Sequence, residues 1–548
     1  MQMKPSRQVV PASKYDPYKY DPYKYDPYDI ATFLLLGALT VLALLTVKDY
    51  GISNDEEVQH RYGELIIAYY TSGFTDLALL KYDNLYLYGG LFDVLAILVS
   101  RVLPFDPYVV RHVLCALCGI GGIAAAWATA RLVAGPRAGL IAAVALAVTG
   151  VWYGGMFNHT KDITFAAALM GGTYALMRAA RDLPRPRQRD VLLFGLMLGC
   201  ALGLRAMGIL LAGYLGVIVL MKLFDGGVTT SRDRLAFLGR CALVFSPALL
   251  FAYLIMLAFW PYAQMGLFNP LRALFQFANF HYEIRDLLAG KMYLMNEMPR
   301  WYLPAYLSIK LPLFMLGGAL VAMGLALTPR RQSPPVRYEI AFLAFVVLFP
   351  VLLQVILHSP IFSGMRHFLF VVPPLAALAG IGWHLAISEF ERWRKPAAMA
   401  AIAVLAALIV WNASILFRLH PHQYVYYNAL VGGLKGANGR YATDYWVNSM
   451  PEAVRGLEAF LARTEKGNRH YLVAICAERL QFDKVASERL EMTETWDTAE
   501  FFISPTHMNC DRVLKGDVVV TVERLGVVLA VVKDRRAFLA ANPPKKKR

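Results

Sequence analysis

Eleven apolar stretches, each close to the length needed to cross a hydrocarbon core, occupy the first three quarters of the chain. They lie at residues 31–48, 110–131, 138–153, 163–178, 191–204, 207–222, 240–259, 303–327, 338–357, 367–388 and 396–415. Most of the charged residues lie in the connections between them. The pattern predicts a polytopic α-helical membrane unit over 31–415 with about 11–13 transmembrane helices. The pair 191–204 and 207–222 is short and flanks Arg205, so it reads either as two spans or as one kinked element. No small-residue cleavage site follows the first span, which makes it an uncleaved anchor. Between the first two spans, 64–80 and 86–103 are amphipathic and are expected to lie along the membrane surface, roofing a cavity. After 415 the pattern changes. PEAVRGLEAFLART (451–464) has helical spacing behind a proline start, and 471–476, 517–521 and 525–532 are β-like. A small α/β domain is therefore expected within 416–548.

Composition sharpens this picture. Of the 548 residues 57% are hydrophobic and 17% charged. Residues 416–548 hold 20 Lys/Arg and 15 Asp/Glu, about 26% charged, against about 14% for the first 415. Such apolar runs exclude a soluble enzyme, a nucleic-acid-binding domain and a disordered chain. The net charge of +16 has a simple source in the Lys- and Arg-rich loops of membrane proteins. With the amino terminus inside, the basic loops at 131–137, 178–190, 222–240, 328–337 and 389–395 all fall on the cytoplasmic side. The outer face then receives 49–109, 154–162, the turn at Arg205, 260–302, 358–366 and the polar domain. The first 30 residues, with their repeats Tyr15-Asp-Pro-Tyr-Lys19, Tyr20-Asp-Pro-Tyr-Lys24 and Tyr25-Asp-Pro-Tyr-Asp29, cannot build a core. They are expected to form a cytoplasmic tail. Lys545–Arg548 reads as a solvated tail that touches anionic lipid.

Candidate chemistry gathers on the outer face. Asp55, Glu56 and Glu57 follow the first span directly, and three adjacent carboxylates repel one another. They form either a solvated loop or a reactive edge. Asp162, in Asn158-His-Thr-Lys161-Asp162, is either a helix cap or a site carboxylate. Arg205 sits between apolar pieces and must face a bundle interior, a water-filled cavity or an anion. Arg366 either does the same or snorkels to the interface. Carboxylates can deprotonate a nucleophile, and guanidinium groups can hold a phosphate bidentately and stabilise it as a leaving group. No His, Cys or Asp cluster has metal-ligand spacing, and Cys115-Ala-Leu-Cys118 lies within an apolar span without a second pair. No metal or other cofactor is expected. Cys476 and Cys510 are the only cysteines of the outer domain and are candidates for a disulfide.

The motifs Asp55-Glu56, Asn158-His-Thr-Lys161-Asp162, LGLRAMG around Arg205, MPRWYLPAYLSIKLP at 298–312 and RHFLFVVPPLAALAG from Arg366 together resemble family 39 of the glycosyltransferases, in the GT-C superfamily of multi-span enzymes. That group includes protein O-mannosyltransferases and the lipid A aminoarabinose transferase. HPHQYVYYNALVGG (420–433) and Tyr441-Ala-Thr-Asp444-Tyr-Trp446 resemble the entry to a periplasmic domain. The resemblance covers about residues 30–465. It implies a GT-C-like fold and transfer of a sugar from a polyprenyl-phosphate donor to a lipid, glycan or protein acceptor of the cell envelope. Transfer would proceed with inversion, at the periplasmic face of the inner membrane. It also implies catalytic acids at Asp55, Glu56 and Asp162, and donor-phosphate contacts from Arg205, Arg366 and, more loosely, Lys81. His60, Arg61, Glu64, His159 and Lys161 are expected near the substrate. The alternative is a transporter or flippase of a lipid-linked or anionic substrate, which predicts repeated halves and broken helices at mid-membrane. No internal repeat of that kind is present, and the charges cluster at one face.

Overall fold

Every apolar stretch read from the sequence is helical in the computed structural model, which describes residues 26–224, 230–279, 283–328, 334–465, 467 and 469–543. Most of the amino-terminal repeat and Lys545–Arg548 lie outside the described residues. Helix α1 (Pro27–Thr46) is followed by the outer pair α2 (Glu56–Thr71) and α3 (Leu91–Ser100), whose facing sides bury Tyr62, Ile66, Tyr69 and Val94. Next come α4 (Pro107–Ala134), α5 (Pro136–Ala147), the single turns α6 (Gly150–Tyr153) and α7 (Gly155–Asn158), then α8 (Thr160–Arg181), α9 (Gln188–Leu202), α10 (Ile209–Leu223) and α11 (Ser231–Phe259). An outer segment holds α12 (Pro261–Gln264), α13 (Asn269–Ala278) and the hairpin β1 (Arg285–Leu288) with β2 (Lys291–Leu294). Then follow α14 (Tyr302–Lys310), α15 (Leu313–Ala326), α16 (Pro334–Leu357), α17 (Val372–Trp393) and α18 (Lys395–Leu419).

Seven described stretches are long and apolar enough to span a bilayer alone. Two bent pairs, α5 with α6–α7 (67°) and α14 with α15 (112°), raise this to nine, below the expected 11–13. The shortfall is at 163–178 and 191–204: α8 carries Lys161, Asp162, Arg178 and Arg181, and α9 has only 15 residues. The stretch 303–327, read as one span, is broken at Pro312, whose ring removes a helical N–H donor and whose backbone is extended.

The ends of the bundle sort as the charge pattern predicts. At one end Arg131 grips Asp29 with two bonds of 2.7 and 2.9 Å, and Arg181 grips Glu339 likewise. Arg137 pairs with Glu391 at 2.6 Å, and Arg178 with Asp190 at 3.2 Å. Arg137–Glu391 joins the loops 131–137 and 389–395, Arg181–Glu339 ties 178–190 to α16, and Arg131–Asp29 ties 131–137 to the start of α1. The connections assigned to the outer face meet at the opposite end.

The polar tail is two structures. Residues 420–446 belong to the membrane unit: Tyr424, Tyr427, Tyr441 and Trp446 pack into its core, and α19 (Gly433–Ala437) lies in this connection. Asn428 donates to the carbonyl oxygens of Ser308 and Leu311 at the α14–α15 break. A separate core begins at Val447. There α20 (Met450–Thr464) covers a five-stranded sheet of order β4-β3-β5-β7-β6, made of β3 (Tyr471–Ile475), β4 (Leu490–Met492), β5 (Phe501–Pro505), β6 (Asp517–Arg524) and β7 (Val527–Asp534). Strands β3, β4 and β5 are parallel, and β7 joins β5 and β6 antiparallel. The expected strand 525–532 starts two residues late. Leu525 and Gly526 both have positive φ, as a two-residue hairpin turn requires. The disulfide Cys476–Cys510 is present.

Candidate active site

The loop after α1 is fixed from three sides. Tyr50 stacks on Phe157 at 3.6 Å and donates to Gln423 at 3.0 Å. Asn158 Nδ2 donates to Gly51 O (3.0 Å), Ser53 Oγ donates to Asn158 O (3.3 Å), and Gln481 of the α/β unit donates to Ile52 O (2.6 Å). The loop so held delivers Asp55 at the start of α2. Its side chain is 42% exposed, and its Oδ2 accepts from Arg366 Nη1 at 3.1 Å. The Arg366 guanidinium is 10% exposed and lies over Trp446 at 4.3 Å and Phe362 at 5.2 Å. It faces inward and does not snorkel.

A second acid–base pair lies behind the first. Asp162, buried in the first turn of α8, accepts from Arg205. The N-cap of α8 is His159, without a side-chain cap bond, and the Asp162 carboxylate, in the first turn, lines a cavity. Arg205 has extended backbone between α9 and the turn Ala206–Gly208. Gly89 meets Gly203 there backbone to backbone; a Cβ on Gly89 would stand 2.0 Å from the Gly203 carbonyl oxygen. This approach brings Tyr88 beside Arg205 (5.9 Å) and under the Lys161 ammonium (4.5 Å).

These groups surround one cavity of about 290 Å³. Its wall contains Asp55, Asp162, Arg205, Arg366, Lys161 and His159, joined by Gln59, Tyr88, Phe362 and Trp446, with Asp83 exposed at the edge. His159 is buried among Tyr424, Tyr445 and Trp446, and neither ring nitrogen has a hydrogen-bond partner among the described residues. Burial, reinforced by the charges of Arg366 and Lys310, pushes its pKa down to about 3, so the imidazole is neutral. The Nε atoms of Arg205 and Arg366 are also buried without a hydrogen-bond partner. The cavity thus presents two guanidinium groups, an ammonium and a neutral imidazole to an occupant, with a half-exposed carboxylate beside them.

Other expected residues lie elsewhere. Glu56 turns away from the cavity into the core, where both its oxygens meet His112 Nε2 at 3.0–3.1 Å. Successive residues at a helix start point about 100° apart, so the adjacent acids cannot both face the cavity. Lys81 is exposed after a short 3-10 turn and does not line the cavity. His60, Arg61 and Glu64 sit farther along α2 and interact with one another, Arg61–Glu64 at 2.8 Å and His60–Glu64 at 3.8 Å. Gln59, Asp83, Tyr88 and Phe362 were not singled out from the sequence. The segment around Lys81 lines the cavity through Asp83, Asn84, Leu85 and Tyr88 and not through the lysine. Among the described residues no group of three or more His, Cys, Asp or Glu is arranged to hold a metal.

Two solved structures of ArnT from Cupriavidus metallidurans, one bound to undecaprenyl phosphate and one apo, resemble this chain at 14% and 13% identity. Each alignment covers 92% of this chain and 98% of the other, with TM-scores of 0.52 and 0.51. The chain has the GT-C fold. Residues 94–258, which include Asp162 and Arg205, also match the family described as dolichyl-phosphate-mannose-protein mannosyltransferase. No curated protein matches the chain by sequence. The GT-C resemblance read from the motifs thus holds for the whole architecture, and the cavity lies among the motif residues that carried it.

Proposed function

We propose that this protein is a membrane glycosyltransferase that moves a sugar from a polyprenyl-phosphate donor to an acceptor of the cell envelope. The observation that carries this reading is the half-exposed Asp55 paired with a buried, aromatic-stacked Arg366 over a cavity with unpartnered cationic and imidazole nitrogens. Undecaprenyl phosphate in the similar ArnT structure supports a lipid phosphate as occupant. In this reading Arg366 and Arg205 hold the donor phosphate, and Asp162 keeps Arg205 in place. Asp55 receives the proton of the acceptor hydroxyl or amine. The acceptor atom bonds to C1 of the sugar as the C1–O bond breaks, its electron pair leaves with the polyprenyl phosphate, and attack from the opposite side inverts C1. His159, neutral, is free to hydrogen-bond a sugar hydroxyl. The basic loops paired at the far end of the bundle support a cytoplasmic placement for that end. The disulfide supports a periplasmic α/β unit and an inner-membrane location.

Mass spectrometry of lipids and envelope glycans from a deletion strain tests the reading. One envelope species should lack a single sugar while the polyprenyl-phosphate sugar accumulates. The same missing sugar, but with the lipid-linked precursor stranded on the inner leaflet, would point to the transporter.

A further inference from the structure

Behind Asp55 lies a charged cluster sealed from solvent. Glu56, Asp93 of α3, and Arg111 and His112 of α4 are each at most 2% exposed. Glu56 accepts from Ser53 N at 2.8 Å, lies against His112 Nε2 through both oxygens, and stands 4.0 Å from Arg111 Nε. Arg111 Nη2 donates to Asp93 at 2.8 Å, and its guanidinium covers the Phe92 ring at 5.3 Å. Buried charges of this kind persist only when they are paired. Here the pairing ties three elements, α2, α3 and α4, to the residue next to Asp55.

We propose that Glu56, His112, Arg111 and Asp93 form a positioning unit that sets the angle and depth at which Asp55 enters the cavity. The inference rests on the catalytic reading of Asp55. Of the two adjacent acids, one meets the substrate and the other is its anchor. The Glu56 side chain closes the turn Ser53–Glu56 on itself, and His112 fixes that carboxylate to α4. A small shift of the α2 start therefore moves the Asp55 carboxylate while leaving Arg366 and Arg205, on other elements, where they are. Misplacing a reacting group by about 1 Å costs up to about 100-fold in rate.

The test combines three measurements on the full-length protein in nanodiscs: single-turnover transfer, affinity for undecaprenyl phosphate, and amide hydrogen exchange of residues 53–58. Glu56→Gln should lower transfer by about 10- to 100-fold, keep undecaprenyl phosphate affinity within about twofold, and speed exchange in that segment. The double variant Glu56→Gln/His112→Gln should fall no further than the single one, because the two act as a unit. Should Glu56→Gln not accumulate, Asp93→Asn carries the same three readouts. Transfer within about twofold of wild type despite faster exchange would overturn the proposal. So would loss of undecaprenyl phosphate binding in step with transfer, since that marks general collapse of the site. Asp55→Asn in the same assay separates the two levels. If it is inactive while Glu56→Gln transfers normally, only the positioning unit fails; if it is active, the catalytic assignment fails and the unit with it.

Discussion

Removing the Arg366 side chain should separate donor binding from folding. Its guanidinium has three kinds of contact: the Asp55 carboxylate at 3.1 Å, the Trp446 and Phe362 rings at 4.3 and 5.2 Å, and a cavity toward which Nε has no partner. In Arg366→Ala the freed Asp55 is half-exposed and can be rehydrated. Loss of the cation–ring contacts costs only about 1–2 kcal/mol of stability, so the protein should still fold. A charge-assisted bond to a phosphate is worth about 1.5–3 kcal/mol, which translates into donor affinity about 10- to 100-fold weaker. The leaving phosphate also loses a counter-charge, and transfer of bound donor should drop by about 10²–10³-fold. Arg366→Lys should recover part of the binding but not the bidentate geometry. The assay is lipid-phosphate binding beside single-turnover transfer in detergent or nanodiscs. Unchanged affinity and unchanged transfer in Arg366→Ala would refute the phosphate role and leave Arg366 as a structural partner of Trp446.

Three further outcomes are expected. Replacing Cys476 and Cys510 with serine opens a loop of sequence separation 34 and should lower α/β unit stability by about 3–4 kcal/mol; non-reducing peptide mapping should find the pair joined, and two free thiols would contradict it. Burial raises the pKa of Glu452, but its bonds to His422 and Arg524 outweigh this and hold it at about 2, below the ordinary 4.5. A depressed carboxyl stabilises above its unfolded value and loses that contribution as pH falls from 4.5 toward 2, so melting curves of wild type and Glu452→Gln should converge across that window, and curves that stay parallel would refute the assignment. Excess EDTA should leave transfer unchanged, and activity lost to the chelator and restored by a divalent ion would show a metal requirement.

The helical framework was legible because apolar runs of membrane length have few other structures open to them. The charged ends of α8 and the short α9 explain where the span count fell below the expected one. Arg205, Asp162 and Arg366 stood out because a charge inside an apolar run needs a partner, and each has one in the structure. Asp55 and Glu56 could not be told apart in one dimension; only the rotation of α2 sends one to the cavity and the other to His112. Trp446 and Tyr88 make the aromatic walls, yet in sequence they look like the interfacial aromatics common at membrane edges. The role of 420–446 was hidden for another reason. Its tyrosines and asparagine read as polar tail, whereas the tyrosines pack into the core of the membrane unit and Asn428 satisfies carbonyl groups exposed by the break between α14 and α15.

Transfer by purified protein tests the central claim most directly. Wild type and Asp55→Asn, reconstituted in nanodiscs, would be given a radiolabelled polyprenyl-phosphate sugar and the acceptor identified from the deletion strain. Wild type should yield glycosylated acceptor and free polyprenyl phosphate in equal amounts. Asp55→Asn should bind the donor normally and transfer about 10²–10⁴-fold more slowly. Transfer by Asp55→Asn at the wild-type rate, or donor movement across the bilayer without any sugar transfer by wild type, would contradict it.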